Sequence, residues 1–452
     1  NFKKLDEFIK QGIINAAPIL ILTGMGGTLG IIIQQLPIDS YLEKISINPQ
    51  FGIILPFLIS AALKTTQGSS TVAIITTSSI FFPLLPILGM DNELGKVWVI
   101  VSLGVGSMTV SHANDSYQLL RQPSDGFSRV VPGKVFEFPR DHYPHEDFKI
   151  EWWYLTANLK DQSGVEYGIH WTLFRQAMNP HHNPSGWQSN QTWMAHTAIS
   201  TPDGFSFSQR FARGGIGQAG VSNMTKNGTF EAWIDDWAWR SQSQSPFPAR
   251  LSASTENSTF DFSLESESGW VLQGNDGFSQ KSDLGQASYY YSQPFVDIEG
   301  TILLSGKPIE VSGKGWLDRE WSSQPLASNQ AGWDWISLHL NDGSALMVYQ
   351  LRHDSGEHYI SGSWVTEDGQ KVILDPDNLS LSEIKTTTLQ LPDDDKRLPL
   401  HWRISVPSLG LQLEVEGFRP DSWLETVFPY WEGPVKVSGT HTGSGYLELT
   451  GY

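Results

Sequence analysis

The chain has 452 residues, 48 acidic and 30 basic, with 18 tryptophans and no cysteine. The net charge of -18 argues against nucleic acid as a partner, because phosphates need a basic face. The missing cysteines exclude disulfides, thiol nucleophiles and cysteine-based metal sites.

The averages hide a break. Residues 1–122 balance seven Lys/Arg against seven Asp/Glu and hold only Trp98 of the 18 tryptophans. The whole acidic excess lies after them, so two unlike pieces are joined. Residues 11–36, 45–63 and 65–90 carry no charge, and 97–111 form another apolar run. Uncharged runs of about 20 residues are long enough to cross a bilayer's hydrocarbon core. The pattern predicts an α-helical membrane-type segment that meets the membrane through residues 11–111. A buried helix in a soluble protein is the alternative for any single run.

Two polar clusters interrupt the runs, "KTTQGSST" (64–71) and "SHANDSY" (111–117). Polar groups at membrane depth line a cavity or a substrate path. Through "LISAALKTTQGSSTVAIITTSSI" and "GVGSMTVSHANDSY", residues 1–117 resemble the C-terminal half of the gluconate/proton symporter family. The resemblance implies sugar-acid transport, with Gln67, Ser69, Ser70, His112, Asn114 and Asp115 on the pathway. A site built between two structural halves is not completed by one of them, so these residues are expected to be inactive here.

From residue 130 the pattern changes. Short runs rich in aromatic and β-branched residues, such as "KIEWWYLTANL", "WMAHTAIS" and "FEAWIDDWAWRS", alternate with Gly, Asn, Asp and Pro turns. This is the spacing of a β-sandwich or barrel. One segment recurs: "WWYLTANLKDQSGVEYGIHWTLFR" (152–175) aligns with "WDWISLHLNDGSALMVYQLR" (333–352). Trp152 matches Trp333, Tyr154 matches Trp335, Asp161 matches Asp342 and Arg175 matches Arg352, with four more residues in the first copy's turn. Both read as hairpins. The fold class is therefore mainly β, with two tandem β-barrel domains over 123–322 and 323–452 after the segment 1–122. Each barrel would close its own edges; a single long sandwich is the alternative.

The motifs "FEFPRDHYPHEDFKIEWWYLTANL", "YGIHWTLFRQA", "GWLDREWSSQ" and "GWDWISLHLNDGSALMVYQLR" resemble the AttH-like / carotenoid 1,2-hydratase (hydroxyneurosporene synthase) family over about 125–452. The resemblance implies a pair of lipocalin-like β-barrels and, for bacterial members, export. The β domains are then expected outside the cytoplasm, membrane-anchored if the N-terminal segment is native. Relatives include hydratases of isoprenoid chains, so the implied partner is an apolar small-molecule ligand. No cofactor is implied.

"KGWLDREWSSQ" (314–324) places three charges between Trp316 and Trp321. Strand parity puts Trp316, Asp318 and Glu320 on one face and Leu317, Arg319 and Trp321 on the other. A carboxylic acid beside an indole and a second carboxylate holds its proton more tightly. Such a group can protonate an alkene near neutral pH, with aromatic faces stabilising the cation. The resemblance adds that an acid two positions after an aromatic residue is used in the hydratases, a pattern that falls on Trp316 and Asp318. It also shows departures. "ASYYYSQP" carries Tyr289 and Tyr291 where the hydratases have a histidine nearby, and Arg319 stands where many members have His. The competing reading of Asp318 and Glu320 is an ion-pair cluster with Arg319 or another arginine.

Further candidates for the ligand pocket are Trp153, Tyr154, His170, His196 and Trp237. Each histidine also reads as a satisfied core residue. "RDHYPHEDF" (140–148) holds His142 and His145 among acids, but its spacing suits neither a helix face nor a strand face as a metal site. It reads as a packing or hydrogen-bonding element.

Overall fold

A computed structural model describes residues 51–67, 74, 77–78, 81–82, 85, 90–108, 117–121, 124–180, 183–223, 228–354, 357–391 and 394–452. The chain divides into two compact units, Asn1–Asn114 and Asp115–Tyr452. Ser69, Ser70, His112, Asn114 and Asp115 lie outside the described residues, as does the run 11–36.

In the first unit, helices α1 (Phe51–Gln67) and α2 (Glu93–Met108) are apolar. They approach closely, because a Cβ on Gly106 would stand 2.4 Å from the Phe57 carbonyl oxygen. The Ser60 hydroxyl donates to Leu103 O at 2.9 Å. Ile54, Leu58, Val97, Trp98, Ile100 and Val105 face outward. At 17 and 16 residues, neither helix is long enough to cross a membrane, and no described helix is.

The second unit begins with a short helix, α3 (Gln118–Arg121). The first sheet comprises β1 (Ile150–Asp161), β2 (Glu166–Ala177), β3 (Gln191–Ser200), β4 (Phe205–Arg213), β5 (Ala219–Val221) and β6 (Glu231–Ile234). It continues with β7 (Trp237–Ser241), β8 (Ala249–Ser254), β9 (Ser258–Glu265), β10 (Val271–Leu272), β11 (Phe278–Gln280), β12 (Ala287–Leu304) and β13 (Lys307–Gln324). The second sheet holds β14 (Gln330–Leu340), β15 (Ala345–His353), β16 (Tyr359–Val365), β17 (Lys371–Leu374) and β18 (Ser380–Leu389). Its remaining strands are β19 (Lys396–Val406), β20 (Leu411–Gly417), β21 (Trp423–Leu424), β22 (Tyr430–Gly439) and β23 (Gly443–Thr450).

Every ladder is antiparallel, and both sheets curl into barrel-like shapes. The first runs β4-β3-β2-β1-β13-β12-β9-β8-β7-β6-β5, and the second β17-β16-β15-β14-β23-β22-β20-β19-β18. The expected closure by backbone pairing is absent: among the described residues no ladder joins β4 to β5 or β17 to β18. Side chains close the first seam instead. Arg210 on β4 pairs with Asp236, and its guanidinium lies 4.2 Å over the Trp237 ring.

The repeated hairpins, β1–β2 and β14–β15, have matching turns. Asp161 Oδ1 accepts from Ser163 N and Val165 N at 2.8 and 2.9 Å, and Asp342 Oδ1 accepts from Ser344 N at 2.9 Å. Gly164 and Gly343 supply the positive φ, 84° and 86°. The four additional residues of the first copy lengthen its two strands and leave the turn equally tight.

Strand parity sorts the core. Trp153, Leu155, Ala157 and Leu159 of β1 point into the first curl with Trp171, Trp239 and Leu251. Ile336, Leu338 and Leu340 of β14 point into the second. Both interiors are filled by side chains, as in small barrels generally. The alternate residues, Trp152 and Tyr154 with Trp333 and Trp335, face outward and meet in a third cluster between the sheets.

Candidate functional site

That third cluster surrounds a cavity of about 130 Å³. Asp318 and Glu320 line it, beside Tyr154, Tyr290, Trp335, Tyr349, Tyr430, Glu432, Glu448 and Lys281. Its mouth is apolar, rimmed by Leu120, Ile150, Trp152, Phe174 and Trp333. The pocket therefore lies between the barrels, on their outward faces. The barrel interiors themselves are already filled by tryptophans and other core side chains.

The register shows how the site is built. In the first sheet Tyr154 pairs with Asp318, Asp318 with Ser292, and Glu320 with Tyr290. In the second, Trp335 pairs with Glu448, Glu448 with Glu432, and Thr450 with Tyr430. Since Tyr154 and Trp335 are equivalent in the repeat, the sheets contribute corresponding positions from opposite sides. Asp318 answers to Glu448, Ser292 to Glu432, Tyr290 to Tyr430 and Glu320 to Thr450. The equivalent rings touch, with Tyr154 and Trp335 edge to face at 5.4 Å.

Asp318 is 3 % exposed. Oδ2 accepts from the Tyr290 hydroxyl at 2.5 Å, and Oδ1 from the Ser292 hydroxyl and Trp316 Nε1 at 2.5 and 2.7 Å. Burial raises its pKa to about 7; the three donors pull the other way, and the Glu320 charge adds to the rise. Among the described residues it forms no ion pair, although the Lys281 ammonium in the same cavity feels its charge. Arg319, the partner expected under the ion-pair reading, points to the opposite face of β13. There it pairs with Glu151 and lies 3.8 Å over Trp153. Glu151 also binds Arg175 and the backbone and ring of His145. His145 in turn contacts Asp141 at 3.0 Å and stacks on Trp321 at 3.9 Å. The "RDHYPHEDF" stretch is thus a buried staple behind the site, and among the described residues no side-chain cluster is arranged for a metal.

Glu320 does form an ion pair, with Lys281 Nζ at 2.9 Å, and accepts from the Ser288 hydroxyl. Burial alone would lower the Lys281 pKa, but Glu320 and the surrounding negative groups raise it. On the far side, Glu432 Oε1 accepts from the Tyr154 hydroxyl at 2.6 Å, and Glu448 Oε1 from Trp333 Nε1 at 3.1 Å. Burial first, then the Glu448 charge, pushes Glu432 well above the usual carboxylate range. Burial and the charges of Asp318 and Glu320 raise Glu448 to about 8.

The other candidates divide. Trp316 stands behind Asp318, 1 % exposed. His170 and His196 form a second layer: His170 Nδ1 is 3.3 Å from Glu432, and His196 Nδ1 is 2.9 Å from the Tyr430 hydroxyl. Burial drives the His170 pKa well below its usual value and that of His196 to about 3, so both imidazoles are neutral. Trp153 and Trp237 belong to the first barrel's interior and do not reach the cavity. Tyr289 and Tyr291 also point away, into a cluster around Trp321, where the Tyr291 hydroxyl lies 2.6 Å from His142 Nδ1. The residue between them, Tyr290, is the one in the site. Its pairing with Glu320 fixes that parity. Sequence reasoning missed Tyr290, Lys281, Glu432 and Glu448. The repeat held a signal for Glu448, since the strand beside Trp335 must supply the counterpart of Asp318.

Comparison with known proteins separates the two pieces. Residues 1–122 match the GntP family permease model. Over 123 residues the chain is 28% identical to a gluconate permease of Pseudomonas aeruginosa, covering 26% of each protein. It is 34% identical over 109 residues to an uncharacterized permease of Haemophilus influenzae, covering 24% of this chain and 22% of that one. The chain thus spans about a quarter of the length of these curated relatives. The match associates the segment with membrane proteins. Among solved structures, one from Nitrosomonas europaea assigned to AttH is 35% identical, with a TM-score of 0.63, covering 72% of this chain and 100% of that one. Kievitone hydratase from Nectria haematococca shares the fold at 16% identity and a TM-score of 0.54, covering 72% and 95%. Residues 129–452 match the AttH-like family model, and the chain belongs to that family.

Proposed function

We propose that the cavity between the barrels binds an alkene-bearing apolar group and that Asp318 adds a proton to its double bond. The observation that supports this is a buried carboxyl in an aromatic cavity, held by three hydrogen-bond donors and by no ion pair among the described residues; burial raises its pKa to about 7. Such an acid is protonated in a useful fraction of molecules near neutral pH. Protonation forms a C–H bond at the less substituted alkene carbon and leaves a tertiary cation and the Asp318 carboxylate. The rings of Tyr154, Trp335, Tyr290 and Tyr349 line the cavity, and aromatic rings stabilise such a cation. Water then forms the C–O bond, and its surplus proton returns to Asp318. The net change is alkene plus water to alcohol.

Size refines the ligand. A cavity of about 130 Å³ compares with the roughly 150 Å³ that holds a benzene ring. One branched five-carbon unit fits, and the remainder of a longer isoprenoid or lipid-like ligand would lie across the rim of Trp152, Phe174 and Trp333. The outward apolar faces of α1 and α2 support membrane contact for the first unit. Transport of sugar acids by this quarter-length segment would show as gluconate uptake by vesicles carrying the chain, and we expect none.

The test is incubation with prenyl-type alkenes in D₂O. The account expects deuterium on carbon beside a new tertiary alcohol, and loss of both in Asp318→Asn with binding retained. Binding without turnover across terpenoid and polyene alkenes would leave a carrier in place of an enzyme.

A further inference from the structure

The two sheets supply most of the cavity's lining. Their strands are held in antiparallel ladders, so a strand residue leaves the mouth only by breaking backbone hydrogen bonds. Off the strands stand Lys281, Pro325, Leu326 and Leu120. Lys281 is fixed by its ion pair with Glu320 and by its backbone N–H, which donates to Gln286 O at 2.7 Å. Pro325 and Leu326 are buried in the linker between β13 and β14. Leu120 differs from these. It belongs to α3, outside both sheets, and packs half-buried at the rim with Trp152 and Trp333.

The stretch around Leu120 is pinned at its two ends. Tyr117 is 6 % exposed. Its hydroxyl donates to Pro429 O at 3.1 Å, and its ring meets Trp333 and Phe428 edge to face at 5.6 and 6.0 Å. The Arg121 guanidinium donates from Nε to Gln330 O at 2.7 Å and from Nη2 to Ala331 O at 3.0 Å. Both carbonyls lie at the bulge where β14 slips against β15. The stretch also has a distinct origin. It falls inside the permease match, which ends at residue 122, while the AttH-like match begins at 129. It nonetheless folds as part of the second unit.

We propose that Tyr117–Arg121 completes the ligand site as its outer wall and serves as its lid, so that permease-type sequence controls entry to an AttH-like cavity. A ligand passes when Arg121 and Tyr117 let go, and Leu120 closes over it afterwards. A single helical turn pinned at two ends opens at lower cost than a strand in a ladder. The inference takes only the ligand's location from the reading above and holds whether or not Asp318 transfers a proton.

The test exploits the absence of cysteine from the chain. Thr172 lines the cavity, is 1 % exposed, and its hydroxyl has no hydrogen-bond partner among the described residues. Thr172→Cys is therefore a nearly isosteric reporter of opening. Its neighbour Leu173 points into the first barrel, so Leu173→Cys reports unfolding instead. Each is placed in the full chain in mild detergent, and the rate of labelling by methyl methanethiosulfonate is measured. Arg121→Ala should speed labelling at 172 about tenfold, the worth of one hydrogen bond to a charged group. Tyr117→Phe keeps the ring and loses only the hydroxyl, and should speed it about threefold. Labelling at 173 should stay unchanged in both. A rate at 172 that neither substitution alters, or one that rises equally at 172 and 173, would overturn the inference. Alkene hydration in a chain whose rate at 172 ignores Arg121 removes the lid and leaves the proposed reaction standing. Faster labelling at 172 alone, without turnover, does the reverse.

Discussion

The two halves of the cavity occupy matching register positions and hold different chemistry. In the first, hydroxyls at Ser292 and Tyr290, the Trp316 indole and the Lys281 ammonium surround Asp318 and Glu320. In the second, the position of Ser292 is taken by Glu432 and that of Glu320 by Thr450. The two carboxyls there share their side with no Lys or Arg among the described residues that line the cavity. The lesson is that a duplicated scaffold supplied equivalent positions, and single substitutions at them set each proton affinity. Asp318 is tuned by burial against three donors, Glu448 by burial against one.

The sharpest way to break the comparison is to remove one acid at a time. Asp318→Asn should lower kcat for alkene hydration about 10³-fold, within the range for a positioned general acid. Glu448→Gln should leave kcat within about threefold, because water's proton returns to Asp318. Equal losses would make the halves catalytically equivalent and refute the asymmetry.

Lys281→Met comes next. It leaves Glu320 buried without its partner, which should cost about 3–5 kcal/mol in urea unfolding at neutral pH. A loss under about 1 kcal/mol would show that the Ser288 hydroxyl alone holds that carboxylate.

The pH dependence of stability gives a smaller effect with a defined sign. In the folded chain Asp318 keeps its proton up to about 7 against an ordinary value of 3.8, and Glu448 up to about 8 against 4.5. Between pH 4 and 8 the folded state therefore binds more protons than the unfolded one. Stability contributed by these groups is present at low pH and lost as pH rises through the folded values. The expected decline is on the order of 3 kcal/mol from Asp318, and less from half-buried Glu448. Asp318→Asn should make the profile less steep between about pH 4 and 7, and Glu448→Gln between about pH 4.5 and 8. Below about pH 4 the opposite sign enters. Hydrogen bonds from His145, Glu137 N and Lys134 outweigh burial and hold Asp141 at about 2, so its contribution is lost as pH falls toward that value.

The smallest effect is at the rim. Trp152→Ala and Trp333→Ala should each weaken ligand binding about tenfold, as for other aromatic anchors. Similar losses in the two variants would show both copies of the repeat contributing to entry.

Much of this architecture was legible. The alternation in "EWWYL" and "GWLDREW" placed Trp316, Asp318 and Glu320 on one face because side-chain direction in a strand has period two. The repeat revealed the paired hairpins because a Gly recurs at the positive-φ position of both turns, while the longer strands of the first copy set Asp161 in the place of Leu340 and not of Asp342. Alternation does not say which face is inside, however. Trp153 was taken for the pocket although its side fills the barrel, and the outward side of Trp152 and Tyr154 became the site only when a second sheet covered it. The tyrosines failed for a related reason. Tyr289 and Tyr291 come from the neighbourhood that the resemblance marks, which does not set strand parity; pairing with Glu320 turns Tyr290 toward the site. Glu432 and Glu448 were invisible locally, since each lies more than a hundred residues from Asp318 and the fold alone brings them to it.

The most direct measurement is the protonation state of Asp318 itself. Difference infrared spectra between the wild-type chain and Asp318→Asn, taken across a pH series, isolate its carboxyl stretch. A protonated band that disappears with a midpoint of about 7 is the predicted result. A carboxylate band persisting down to about pH 4, the value of an unperturbed aspartate, would contradict the account.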